Sequence, residues 1–317
     1  MKNRTKMIVL VGILLFVMLL FLGYDLKGNL AYILSRRFIR LATMLLVGTS
    51  VGISAIIFQT ITGNRILTPS IMGYESIFIL FQTMIVFTWG DQALQAISQE
   101  KNFFLAVVLM LLFSLLMYLL VFRNRQRNMF HLLLIGMVMG ALFQSLSQFM
   151  HILVDPNEFS VIQNFMFVSF SKMNTKLLGI AAGTLLLSLI YLWRLMPYLD
   201  VLKLGREQAI NLGINYNSLI RQLLLLISLM VSVSTALVGP ITFLGILVSN
   251  ITYELLKTHR HRAMLIFCAM LSCVFLVFGQ FLIEHVLHFS TTVSIVINFI
   301  GAIYFMFLLW KARKIIR

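Results

Sequence analysis

The chain has 317 residues, of which 60% are hydrophobic and only 11% charged, with a mean hydropathy of +0.98. Soluble chains carry about 25% charged residues, so this composition excludes an ordinary soluble domain. The formal net charge of +15 raises a nucleic-acid reading, but no segment gathers the charge onto one folded surface.

Backbone polar groups in lipid must be satisfied internally, which leaves helices or closed barrels. A barrel shows period-two alternation in segments of about 10 residues. Here the apolar runs are continuous and rich in Leu, Ile, Phe and Met, which predicts helices of about 20 residues each. The first run, 7–23, follows Lys2, Arg4 and Lys6 and has the layout of a signal peptide. No small-x-small cleavage site follows it, and Gly23-Tyr24-Asp25 is a poor substitute, so a retained first helix is expected. Further spans are predicted at 41–59, 71–88, 102–121, 130–152, 177–195, 219–238, 240–256, 263–287 and 292–310. The span from Pro240 is short, and the Gly239-Pro240 break leaves little room for a loop. The expectation is an all-α polytopic membrane protein, one unit over 1–317, with about ten transmembrane helices.

Ten spans place both termini on one side. With the termini in the cytoplasm, the inner segments hold 18 of the 25 Lys and Arg residues, among them Arg65, Arg123, Arg125, Arg127, Lys203, Arg206, Lys257, Arg260 and Arg262. The outer segments hold Lys27, Arg36, Arg37, Arg40, Lys101, Lys172 and Lys176, together with Asp25, Asp91, Glu100, Asp155, Glu158 and Glu284. That asymmetry follows the positive-inside rule. Arg36, Arg37 and Arg40 break it. They either snorkel to headgroups or form a cationic patch for an acidic external partner.

Three glycine pairs, Gly48/Gly52, Gly136/Gly140 and Gly179/Gly183, lie four apart inside spans, a spacing that lets helix backbones approach closely. Cys268 and Cys273 are five apart, about 140° around one helix, and do not readily pair. His259 and His261 sit among Lys257, Arg260 and Arg262, which repel a metal ion. His285 and His288 share a face at an outer helix end beside Glu284, His131 and His151 stand at helix ends, and no metal site is expected. Glu75 and Glu254 are placed near inner ends of spans, where solvation accounts for them, although an acid within the membrane is a functional candidate. No Gly is followed by Lys, so the phosphate-binding loop G-x-x-x-x-G-K-[ST] is missing, as is H-E-x-x-H. No enzymatic machinery and no cofactor are expected.

The sixth and seventh spans are separated by a compact polar insert at 203–213. Gly205 can break the local helix, and Gly213 is placed to end a second short one at its C′ position. Residues 206–212 make about two turns, roughly 10 Å, a stub projecting from the membrane. Leu204, Ala209 and Leu212 can pack in a groove of a partner, or the stub can lie on lipid.

The run Leu204-Gly205-Arg206-Glu207-Gln208-Ala209-Ile210-Asn211-Leu212-Gly213-Ile214-Asn215 resembles the L-G-x-x-x-A-x-x-L-G signature of FecCD/BtuC-type permeases, the membrane subunits of type II ABC importers for iron–siderophore, haem and cobalamin. Leu46-Val47-Gly48, Gln59, Asn64, Leu67, Pro69 and Gly73 resemble a second family segment, and Gly239-Pro240-Ile241-Thr242-Phe243-Leu244-Gly245 is similar to G-P-I-G-F-V-G. Arg37 and Arg40 fall where the family has R-L-P-R; Asp155-Pro156, Ser169 and Gly301 also match, so the likeness covers nearly the whole chain. Departures include Ile39, Arg65 and Ile303 in place of Pro, Thr68 in place of Asp, Phe165 and Val168 in place of Trp and Gly, and Ser249-Asn250 where the family has P-H. The segments 163–170 and 252–258 look similar to the catecholate-siderophore branch, which includes petrobactin-type permeases.

The resemblance implies a BtuC-like fold in the bacterial cytoplasmic membrane. It implies a second permease subunit, identical or paralogous, and two separate cytoplasmic ATPase subunits gripping coupling helices at about 199–214, through Leu204, Gly205, Arg206, Glu207, Ala209, Leu212 and Gly213. An extracytoplasmic binding protein delivering an iron–siderophore complex would meet Arg37 and Arg40. Gln59, Asn64, Pro69, Gly73, Gly239, Pro240 and Gly245 become pathway or structural motif residues. Haem or cobalamin import by the same family remains open. So does an ion-coupled secondary transporter, which needs coupling acids at mid-membrane.

Overall fold

A computed structural model describes residues 3–25, 29–90, 98–122, 129–170, 174–289 and 291–315. Lys2, Lys27, Asp91, Arg123, Arg125, Arg127, Lys172 and Arg317 lie outside the described residues. Every described regular element is helical. The helices are α1 Asn3–Gly23, α2 Leu30–Thr62, α3 Tyr74–Trp89, α4 Gln99–Phe122, α5 Met129–Leu153, α6 Pro156–Met166, α7 Thr175–Leu202, α8 Arg206–Asn211, α9 Tyr216–Val238, α10 Leu244–Leu256, α11 His261–His285 and α12 Val293–Ile315, with a 3₁₀ turn at Pro69–Met72.

Each of the ten apolar stretches coincides with a helix. Among the described residues, seven helices are long and apolar enough to cross a membrane, whereas α3, α10 and α12 supply shorter apolar stretches. The chain is a multi-pass membrane protein by this measure. Its helices α1, α5 and α7 turn most of their apolar surface outward, while α2, α9 and α11 are largely buried. Hydrocarbon is an apolar solvent, so outward-facing Leu, Phe and Ile side chains need no protein cover.

Three helices depart from the predicted boundaries for identifiable reasons. The second predicted span, 41–59, grows into a helix of 33 residues, about 50 Å long at 1.5 Å per residue. It begins at Asn29, whose Oδ1 accepts from the Tyr32 N–H at 3.4 Å, and stops where Gly63 adopts φ +64°. Arg36, Arg37 and Arg40 are therefore helical residues rather than loop residues. α7 continues through Pro197 to Leu202, although the proline removes the backbone donor of one i→i−4 bond inside the helix. α6 was not expected. Asp155 at the N-cap position, Pro156 at the first helical position and Glu158 in the first turn together form a helix-start signal.

The glycine pairs divide. A Cβ added at Gly48 would lie 3.0 Å from Cys273, and one at Gly52 2.8 Å from the Cys268 carbonyl, so α2 and α11 touch backbone to backbone. The two free cysteines thus face the two glycines. Gly136 and Gly140 meet Met72 and Gly73 with similar closeness. At Gly179 and Gly183 an added Cβ meets nothing within 4 Å, so among the described residues this pair makes no close helix contact.

Candidate functional site

The polar insert forms a projecting stub. Gly205 precedes α8 with φ +103° and Gly213 follows it with φ +83°, regions costly for residues with a Cβ. The Gly213 N–H donates to the Ile210 carbonyl at 2.9 Å, and the Ile214 N–H to the Ala209 carbonyl at 3.1 Å. Those two bonds are a Schellman closure, with Gly213 at C′. Arg206 lies over the Tyr216 ring at 5.6 Å, holding the stub against the start of α9.

One expectation about the stub is corrected. Ala209 is 0% exposed and packs inward, because the stub folds back on the ends of α7 and α9. The apolar residues it presents are Leu204, Ile210 and Leu212, at 59%, 48% and 63% exposure. Glu207 is also exposed.

Beside the stub opens a cavity of about 720 Å³. It is lined by Gln59, Arg65, Lys203, Arg206, Tyr253 and His261, among others. Arg65 stacks on Tyr253 at 4.8 Å. Burial and the neighbouring Arg65 charge push the Lys203 ammonium below its ordinary value, with Asp200 acting against them. Gln59 donates to the Arg65 carbonyl at 2.7 Å and to Ser249 Oγ at 2.8 Å. Asn64 Oδ1 accepts from the Ile66 N–H at 2.9 Å, which shapes the turn after α2. Asn250 also donates to the Arg65 carbonyl, at 3.0 Å. The Ser249-Asn250 pair is therefore part of the same polar knot as Gln59.

The other motif residues converge inside the bundle. Pro69 starts the 3₁₀ turn and Gly73 ends it with φ +85°. Gly239 turns at φ +102°, and a Cβ there would lie 3.1 Å from the Phe167 carbonyl. Pro240 is buried just after it, and the Ser169 N–H donates to the Val238 carbonyl at 3.0 Å. Gly245 packs on Ala55 and Thr68. Two segments far apart in sequence thus meet, and Glu75 joins them. Its carboxylate accepts from Ser70 Oγ and Thr242 Oγ1, both at 2.7 Å. Glu75 also lines a small cavity of about 20 Å³ with Ser54, Ser234 and Thr235. It stands in the first turn of α3, half-buried, and is held by two hydroxyl donors rather than by solvent alone. The signal that identifies it is its place between Gly73 and a long apolar run, where an acid has a reason to be kept.

At the opposite end, Arg37 donates to the carbonyls of Phe21, Leu22 and Tyr24 at 3.1, 3.1 and 2.6 Å, closing the C-terminus of α1. Arg40 pairs with Glu284 at 3.0 Å, their side chains 20% and 7% exposed. Gln280 donates to the same carboxylate oxygen at 2.6 Å. His285, beside this pair, stacks on Phe281 at 4.7 Å. Arg36 is the exposed member of the cluster and lies over Tyr32 at 4.9 Å.

Residues 11–311 match the model of the FecCD transport family, and the chain belongs to that family. It is 49% identical over 314 residues to the petrobactin import system permease protein YclO of Bacillus subtilis (strain 168), covering 99% of both chains. It is 30% identical to the petrobactin import system permease protein FatC of Bacillus anthracis, over 89% of this chain and 80% of that one. Among solved structures, a metal-chelate type ABC transporter in an inward-facing conformation superposes with a TM-score of 0.85 at 22% identity, covering 98% of this chain and 100% of that one. The fold is shared with that transporter, and the chain is a permease of the ABC importer class.

Proposed function

We propose that this chain is one of two permease subunits of an ATP-driven importer that carries an iron–siderophore complex across the bacterial cytoplasmic membrane. In this reading the chain makes ten spans with both termini inside, and the 203–213 stub lies in the cytoplasm. A separate ATPase subunit grips it there, through Leu204, Gly205, Arg206, Glu207, Leu212 and Gly213, with Ala209 as the buried pivot beneath them. The observation that carries this reading is the stub itself, a short helix with positive-φ glycines at both ends and three exposed apolar side chains. Binding energy from ATP is transmitted through such an element only if it moves as a unit, which the Schellman closure favours.

The substrate class follows the relatives, two of which are named as petrobactin import permeases. An extracytoplasmic binding protein delivers the chelate at the end that carries Arg36, Arg37 and Arg40. Exposed charges there steer docking more than they hold it. Iron arrives already chelated, so the pathway needs no strong ligands of its own.

An ion-coupled mechanism is the second reading, and Glu75 is the observation that favours it. One experiment separates the two. The chain is reconstituted in proteoliposomes with its neighbouring ATPase, permease and lipoprotein gene products, and uptake of labelled ferric chelates is followed. The expected result is uptake that requires ATP and survives collapse of proton and sodium gradients. Uptake that persists without ATP and stops with the gradient would overturn the importer reading.

A further inference from the structure

His261 opens α11 and is only 1% exposed. Its Nδ1 lies 2.6 Å from Asp200 Oδ1, and its backbone N–H donates to the same oxygen at 2.9 Å. Its Nε2 lies 2.9 Å from Thr60 Oγ1. Asp200 stands in the last turn of α7, five residues before Gly205. Thr60 stands in the last turn of α2, next to Gln59, whose amide holds Arg65 and Ser249. One buried ring therefore joins the base of the stub, the exit end of α2 and the first residue of α11.

A hydroxyl–imidazole–carboxylate series also suggests a nucleophile, but this one is built for position. Asp200 accepts the Nδ1–H, so Nε2 of the neutral ring accepts the Thr60 hydroxyl proton, for which the Ile56 carbonyl, 2.8 Å from Oγ1, competes within a helix whose amides are bonded internally. The amides of α2 beside Thr60 are thus not offered to an oxyanion. What the series does supply is stiffness. A side chain without solvent, bonded at both ring nitrogens, has no slack to absorb a displacement, and packed interiors shift between discrete arrangements rather than stretch.

We propose that His261 is a positioning residue of the transport cycle. It ties the base of the stub to the end of α2, so that movement imposed on the stub is delivered to the Gln59–Arg65 segment lining the cavity. This rests on the reading of 203–213 as the coupling element. Neither half of the tie belongs to the motifs that define the family likeness.

The test measures ATP hydrolysis and chelate uptake together in the reconstituted complex. Thr60→Val keeps volume and removes the hydroxyl partner; His261→Gln removes the ring. Both are expected to retain at least half of the ATP hydrolysis while uptake per ATP falls about tenfold, within the 5–150-fold span of typical coupling energies. Asp200→Asn keeps an acceptor oxygen and is expected within about twofold of wild type, whereas Asp200→Ala falls with His261→Gln. Hydrolysis and uptake that decline in parallel with the recovered complex would make His261 merely structural and overturn the proposal. A wild-type ratio in Thr60→Val would overturn it as well. Wild-type complex with no ATP-dependent uptake would instead overturn the importer reading, and the tie with it.

Discussion

At the scale of single residues, partners decide roles that residue type leaves open. Arg37 and Arg40 share a helix and a charge, yet Arg37 closes the end of α1 and Arg40 neutralises Glu284. The docking role proposed for them must therefore coexist with an internal one. Arg40→Glu places two carboxylates together in a mostly buried site and is expected to cost about 1–3 kcal/mol, the range for leaving a buried polar group unsatisfied. The swap Arg40→Glu with Glu284→Arg restores the pair. It should recover wild-type thermal stability in detergent yet weaken capture of the binding protein, since the surface charge has moved. Capture equal to wild type in the swapped protein would leave Arg40 with its internal role alone. His261 shows the same lesson from the other side. In sequence it sits among Lys257, Arg260 and Arg262 and reads as a solvated basic loop. The fold instead brings Asp200 to its ring from 61 positions away.

At the scale of elements, the stub is the part most legible in advance and also the part most sharpened. Gly205 and Gly213 were readable as its bounds because a positive φ costs a residue with a Cβ about 1–2 kcal/mol. Which face it offers was not readable, since six helical residues make too few turns for a periodic pattern. Gly213→Leu removes the left-handed C′ residue without any steric clash, as an added Cβ there meets nothing within 4 Å. Its effect should therefore be conformational. Uptake is expected to fall at least tenfold, roughly the 1–2 kcal/mol of that φ penalty, with membrane insertion unchanged. Leu212→Asp, on the exposed face, should release the ATPase during co-purification while Gly213→Leu retains part of it. ATPase retention and uptake at wild-type levels in both variants would refute the coupling role. The unpredicted α6 belongs at this scale too. Its Asp155-Pro156-Asn157-Glu158 start was in view, but a span-length window averages eleven amphipathic residues into a loop.

At the scale of the whole molecule, the proposed orientation has a direct check. Cys268 and Cys273 are buried at 0% and 2% exposure, so the native chain gives little background to a bulky thiol reagent. A cysteine at Asn211 is expected to react only after the membrane is opened, and one at Arg36 in spheroplasts with the membrane intact. The reverse pattern would invert the topology. The sequence by itself determined that the chain is helical and membrane-embedded, where each of the ten apolar stretches runs, and where the stub begins and ends. Those features are local, because a helix in lipid satisfies its backbone within one segment and a left-handed turn selects its own glycine. The tertiary structure decided the meeting of Pro69–Gly73 with Gly239–Gly245, the enclosure of Glu75 by Ser70 and Thr242, the inward turn of Ala209 and the His261 tie. The Glu75–Thr242 bond and the His261 tie join residues 61 to 201 positions apart, and hydrophobic periodicity carries no information about which helix lies next to which.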